Sequence, residues 1–182
     1  IEKALTLLIQ QQTALRSNFK LVKGEPKTFV LPAKKIQLDP IPCNEVDVLP
    51  LMHELAKQPF QLDSDYLFRF ACYHTESNQY LFINFHHIIF DGSSANIFFS
   101  SLSKLYHQLI INDSLTLKPL TYDYFDFAYW QRNYLDKLIR KQTSYWANQL
   151  RSIENLNLPL DYERPTEQAH QGKKIIYALP KQ

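Results

Sequence analysis

The sequence predicts an α/β sandwich, with a mixed sheet covered by helices. Three observations predict it. Residues 66–74 and 80–87 alternate as a strand pair around the short turn Glu76-Ser77-Asn78, and both faces of the pair are largely apolar, as in a covered sheet. Helical periodicity marks the segments before and after that pair. The predicted order is helix, strands, helix, hairpin, helix, long helix, strand, which is a layered arrangement around one sheet.

Each element has its own warrant. Over residues 1–19 the stripe Leu5, Leu8, Leu15 and Phe19 has helical spacing, and Gln12 falls on it. Val22-Lys23-Gly24-Glu25-Pro26 is a turn, and Lys27 to Leu31 can form a short strand. Residues 32–46 carry Pro32, Pro40 and Pro42 and read as an extended loop. Residues 47–58 form a short helix that Asp47 can cap, with Pro50 tolerated in its first turn. In the strand pair, Tyr66, Phe68, Phe70 and Cys72 share one face. A two-residue period puts His86 with Tyr80, Phe82 and Asn84, and His87 with Leu81, Ile83 and Phe85. Ser93 or Ser94 is expected to cap the next helix, whose buried stripe is Phe98, Leu102, Leu105 and Leu109. Residues 122–150 are helical, with Asn133 the point where a break would fall. Leu135, Ile139, Trp146 and Leu150 line its second half. Residues 156–165 are extended, and 173–180 form a last strand.

Composition narrows the functional classes. The chain has 182 residues, 45% hydrophobic, 14% aromatic and 21% charged, which suits one folded domain. A net charge of +2, with basic residues only in scattered pairs, gives no nucleic-acid footprint. No apolar run reaches the roughly 18 residues of a membrane span. Cys43 and Cys72 have neither metal nor disulfide spacing and fit a reducing cytoplasm. The N-terminus is an amphipathic helix already under way, and Ile1 in place of an initiator methionine reads as a piece of a longer chain. Only Gly24, Gly92 and Gly172 are glycine, so each is expected where the backbone needs it.

The stretch Ile-Asn-Phe-His-His-Ile-Ile-Phe-Asp-Gly-Ser-Ser, residues 83–94, carries the chemistry. Taken alone it supports several readings. A histidine at a strand end is often a satisfied core group, and Asp91-Gly92-Ser93 is a natural turn into a capped helix. For a metal, only His87 and Asp91 converge, and His53, His74, His107 and His170 add no paired spacing. For a hydrolase, no serine lies in a Gly-x-Ser-x-Gly turn. A fourth reading, beside the structural one, is acyl transfer. It needs an imidazole near neutral pKa within reach of a nucleophile's proton. A carboxylate four residues on can fix the local backbone by a salt bridge, and a glycine can give clearance for a thioester.

His86-His87-Ile88-Ile89-Phe90-Asp91-Gly92 matches the HHxxxDG motif in full and resembles the condensation domains of nonribosomal peptide synthetases, members of the chloramphenicol acetyltransferase-like superfamily. Other segments agree in order. Leu15, Arg16 and Phe19 resemble the end of the family's RHExLRTxF helix. Pro59, Phe60, Leu62, Leu67 and Arg69 resemble its PFdL…PLlR segment. Tyr124, Asp126, Phe127, Ala128, Trp130 and Gln131 resemble its YxDFAxWQ motif. The departure is Gln11-Gln12-Thr13 where relatives have Arg-His-Glu, which removes two charges.

The resemblance implies that residues 1–182 are the N-terminal lobe of such a domain, with an upstream first strand and a C-terminal lobe lying outside them. It implies a site at the lobe boundary, where carrier proteins present donor and acceptor on phosphopantetheine arms beside an adjacent adenylation domain, with no cofactor or metal bound directly. His87 would contact the acceptor amine, as base or as positioning group. His86 would be a packing neighbour, Asp91 would hold the motif's shape, and Gly92 would give clearance. Arg16 and Arg69 would be structural. An epimerisation domain, a free-standing acyltransferase using coenzyme A, and a non-catalytic recruitment domain are the alternatives. Heterocyclisation domains carry aspartates where His86 and His87 stand.

Overall fold

A computed structural model describes residues 1–112, 115, 117–154, 156–163, 166–167 and 175–179. The chain divides into two compact units, Ile1–Asp136 and Lys137–Gln182. The first holds helix α1 (Glu2–Gln11), strands β1 (Ser17–Val22), β2 (Glu25–Val30) and β3 (Pro40–Pro42), helix α2 (Val48–Lys57), strands β4 (Phe68–His74) and β5 (Gln79–Phe85), and helix α3 (Gly92–Ile111). Helix α4 (Tyr124–Gln149) begins in the first unit and ends in the second.

The core of the first unit is the seam between α1 and α3, laid on one face of β4 and β5. Leu5, Leu8 and Ile9 of α1 are essentially inaccessible, and Phe98, Leu102 and Leu105 of α3 are buried against them. Each such side chain contributes about 1.5–3 kcal/mol of burial. The sheet face beneath is aromatic: Phe68 stacks on Phe70 at 4.9 Å, and Phe70 meets Phe85 edge-on at 5.8 Å. Segment 31–39 runs alongside α1. Thr6 Oγ1 accepts the Ile36 N–H at 2.9 Å and Glu2 accepts the Leu38 N–H, so Ile36 and Leu38 reach the core.

The expected mixed sheet is present. β3 is parallel to β4, and β4 is antiparallel to β5, with Phe68 opposite Phe85 and Phe70 opposite Ile83. The faces follow the predicted alternation. β3 falls inside the segment read as an extended loop, because its prolines hide a strand; both are tolerated at a sheet edge. Asp47 is the N-cap of α2, as expected, but its carboxylate accepts from Asn44 Nδ2 at 2.9 Å rather than from the helix.

Four expectations fail. The first helix stops at Gln11, not Phe19. After a 3-10 turn, Thr13–Arg16, the chain becomes β1, which pairs with β2 from Ser17 opposite Val30 to Val22 opposite Glu25. The hairpin wins because Lys23 and Gly24 form a two-residue turn with φ of 53° and 81°, the conformation that matches strand twist. The strand pair ends at Phe85, before both histidines, so the two-residue period does not extend to them. Helix α4 is unbroken at Asn133, whose Nδ2 donates to Tyr129 O at 3.0 Å. The last strand is not formed over 175–179, where Ile175, Ile176 and Tyr177 are exposed; the rest of that segment, with Gly172, lies outside the described residues.

In the second unit, α4 continues to Gln149 and ends in a turn closed by Leu150 N–H to Trp146 O at 2.9 Å. Ile139, Trp146 and Leu150 are more than half exposed there. Among the described residues, no helix is long and apolar enough to cross a membrane.

The turn gives a direct test. Gly24→Ala puts a Cβ on a left-handed residue and is expected to cost about 1 kcal/mol, whereas Lys23→Asn is expected to stabilise by a few tenths or more. Urea unfolding midpoints at constant m-value measure both.

Candidate functional site

The site is built where β5 ends. Phe85 stacks on Phe90 at 4.0 Å, nearly parallel, and both meet Phe98 of α3 edge-on at 5.1 and 5.9 Å. This aromatic trio clamps the intervening turn, in which Ile89 N–H donates to His86 O at 3.1 Å. Phe90 is an unspecified position of the motif, so its clamping role was not legible from the motif itself.

Asp91 then starts α3. It is the N-cap, and its Oδ1 accepts from Ser94 N–H at 2.8 Å and from Ser94 Oγ at 2.6 Å. The expected serine cap is thus corrected: Ser94 is the capped residue, and the carboxylate is the cap. These bonds, led by the Ser94 hydroxyl, hold the Asp91 carboxyl below the usual aspartate value, with a smaller contribution from the His87 charge. The shape-holding role expected of Asp91 therefore takes the form of a helix cap rather than a salt bridge.

The two histidines have different surroundings. His86 is half-buried; its Nδ1 accepts the Ile88 N–H at 3.1 Å, which leaves Nε2 as the protonated nitrogen of the neutral ring. Its ring meets Phe60 edge-on at 5.9 Å, and the Arg69 guanidinium lies 3.8 Å over the same Phe60. Arg69 donates to the carbonyls of Gln58 and Pro59. Arg16 likewise donates to the carbonyls of Ile9, Gln10 and Leu31, joining the end of α1 to the end of β2. Both arginines thus tie backbone segments together.

His87 is exposed and lines an open cavity of about 370 Å³. Asp91 and Ser94 stand beside it in the wall. Phe19 and Thr28, directly paired across the β1–β2 hairpin, form a second wall, and Tyr124 and Phe125 of α4 a third. Gly92 is the first residue of α3. A Cβ built on it meets no atom within 4 Å, and its φ is not left-handed, so the surrounding backbone does not require glycine there. Gly24 alone meets that expectation within the described residues.

The departure at Gln11-Gln12-Thr13 acquires a structural meaning. Gln11 Nε2 donates to Lys118 O at 3.0 Å, and Thr13 Oγ1 donates to Asp123 Oδ2 at 2.8 Å. Asp123 also caps α4, accepting from Phe125 N–H at 2.8 Å and Asp126 N–H at 3.2 Å, while Asp126 Oδ2 accepts the Asp123 N–H at 2.9 Å. This reciprocal capping box gives Asp126 its place, and the neutral Thr13 hydroxyl, just past the end of α1, holds it through Asp123. The Thr13 hydroxyl is the main reason that the Asp123 carboxyl sits below its usual value. Among the described residues, no three His, Cys, Asp or Glu side chains gather as a metal site would need.

The Asp123 cap has a signed pH dependence. Its folded value is depressed, so its contribution is complete above the unfolded value of about 3.9 and is lost as pH falls through the folded value. Asp123→Ala is expected to cost about 1 kcal/mol at pH 7, with a deficit that shrinks by pH 3. Thr13→Glu should destabilise at pH 7 and recover in acid, because it opposes two carboxylates. Thermal melts across that range check both.

The condensation-domain family model matches residues 1–182. Gramicidin S synthase 2 of Brevibacillus brevis is 34% identical over 185 residues, which is 100% of this chain and 4% of that protein. Surfactin synthase subunit 1 of Bacillus subtilis (strain 168) is 31% identical over 98% of this chain and 5% of its own length. The chain thus spans only a few per cent of such relatives. Among solved structures, the X-domain from teicoplanin biosynthesis superposes with a TM-score of 0.81 at 27% identity, over 90% of this chain and 38% of that one. The epimerization domain from the third module of tyrocidine synthetase B shares the fold, with a TM-score of 0.75 at 23% identity over 89% and 39%. The complete HHxxxDG turn, carried on this fold and matched from end to end, shows that the chain belongs to the condensation-domain family.

Proposed function

We propose that this chain is the N-terminal lobe of a condensation domain that joins two carrier-bound substrates in a nonribosomal peptide synthetase. The observation that carries the reading is His87, exposed on an open cavity at the start of a helix held by the Asp91 cap. The donor acyl group and the acceptor aminoacyl group arrive as thioesters on phosphopantetheine arms of carrier proteins, charged by an adenylation domain, with no directly bound cofactor. The acceptor amine nitrogen attacks the donor carbonyl carbon. A C–N bond forms and the C–S bond breaks, and the departing thiolate takes up the proton that the amine gives up. His87 meets that amine. Two roles fit its position: accepting the proton, or holding the amine while the tetrahedral oxyanion is stabilised. His86 supports the turn, and the open space at Gly92 leaves room for a thioester.

A second reading comes from the teicoplanin X-domain, which is also known in complex with OxyB; by analogy this lobe would recruit a partner enzyme without catalysis.

Variants in the full-length protein separate the readings. His87→Ala is expected to lower amide formation by about 10²–10⁴-fold without changing the melting temperature. Asp91→Ala is expected to lose activity and several degrees of stability together. Gly92→Ala should leave the fold as stable or more so, since it places alanine in a helix, yet slow condensation by filling the clearance. Residues 1–182 alone should form no amide. Wild-type rates in His87→Ala would end the catalytic assignment of His87, and a wild-type protein that forms no amide would favour recruitment.

A further inference from the structure

A second cavity of about 220 Å³ adjoins that of His87. The two share Ala14, Ile89, Phe90, Ser94 and Tyr124 as common walls. Leu8, Leu15 and Phe98, all buried, form the floor of the second, and Ile97 and Ser101 of α3 close its side. Gln12, Tyr124, Ser94 and Ser101 add polar atoms to the lining, and the Ser94 hydroxyl already donates to Asp91 Oδ1 at 2.6 Å. Gln12 is half-buried there, and its side chain has no hydrogen-bond partner among the described residues; its backbone is engaged at both ends, N–H to Leu8 O at 3.0 Å and O from Leu15 N–H at 3.2 Å. Its carboxamide keeps two donors and an acceptor unused. A largely apolar cavity with a few well-placed polar groups is the usual form of a selective small-molecule site.

We propose that this cavity receives the side chain of the acceptor aminoacyl group, its apolar floor selecting for bulk and Gln12 reading a polar atom on that side chain. The inference rests on the condensation reading. Amine and side chain leave the same Cα, so an amine held at His87 starts its side chain two bonds away, within reach of the adjoining space. The donor's side chain begins one bond further, beyond the forming C–N bond.

The test uses the full-length protein with one fixed donor and carrier-bound alanyl, leucyl and glutaminyl acceptors. Ser101 and Ile97 line only the second cavity. Ser101→Phe, and Ile97→Trp from the exposed side, are expected to lower kcat/KM for the leucyl relative to the alanyl acceptor by about tenfold or more. Gln12→Leu is expected to shift preference from glutaminyl toward leucyl by about tenfold. Unchanged acceptor ratios, a change that tracks the donor's side chain instead, or equal loss of alanyl and leucyl turnover in both filling variants overturns the inference while the condensation reading stands. A wild-type protein that forms no amide with any acceptor overturns that reading, and this one with it.

Discussion

One short turn decides what the first unit presents: β5 must stop at Phe85 and α3 must begin at Gly92. Two interactions enforce this. The Asp91 carboxylate satisfies the first turn of α3 through Ser94, and Phe90 folds back onto Phe85 and Phe98. Without the cap, the first N–H groups of a 20-residue helix would lack a partner. Without the aromatic clamp, the turn could run on as strand. Together they fix the backbone on either side of the exposed His87, so placing it costs little further backbone entropy when a ligand arrives.

The walls around His87 depend on connections made far from it. Helix α1 ends beside the motif, and the residues just past its end anchor two of the three walls. Arg16 joins the end of α1 to the end of β2 and thereby fixes the hairpin that carries Phe19 and Thr28. Thr13 holds Asp123 and with it the start of α4, which carries Tyr124 and Phe125. Where relatives use a glutamate, this chain uses a hydroxyl. A glutamate facing Asp123 would need its own cation; the hydroxyl donates directly and removes that need. Thr13 thus holds the start of α4 without a charge of its own, and the Gln12 side chain beside the second cavity has no hydrogen-bond partner among the described residues.

The sequence made the sheet pair, the α1–α3 seam and the motif legible because each has a dense local signal: two-residue alternation, a helical stripe, and a seven-residue pattern. It concealed β1 for a physical reason. Leu15 and Phe19 continue the spacing of Leu8, while the inner residues of β1 are Ser17 and Asn18, buried but polar, so the strand shows no apolar alternation. Ser17 Oγ donates to Thr13 O four residues back, and Asn18 Nδ2 donates to Asp63 O, a long-range partner that no short window of sequence contains. The readable signal was Lys23-Gly24, two residues between six-residue segments. Similarly, serine was the expected cap because serine caps well in general, but Asp91, with Ser94 at the third helical position, satisfies two donors at once.

The same geometry sets what the site still requires. An amine and a thioester in open water compete with hydrolysis and with water for every hydrogen bond, and a dipole acts strongly on a transition state only where water is excluded. The His87 cavity is open, and its rim is apolar as well as polar: Ile88 is 46% exposed and Tyr124 60%. Apolar surface of this kind gains about 25 cal/mol per Å² on being covered. On the proposed reading, the remainder of a fold of which this lobe matches 38% in the teicoplanin X-domain supplies that cover. Covering the rim would then draw the lobes together and dry the imidazole in one step, so that the surface which looks unsatisfied in the lobe alone is what couples assembly to catalysis.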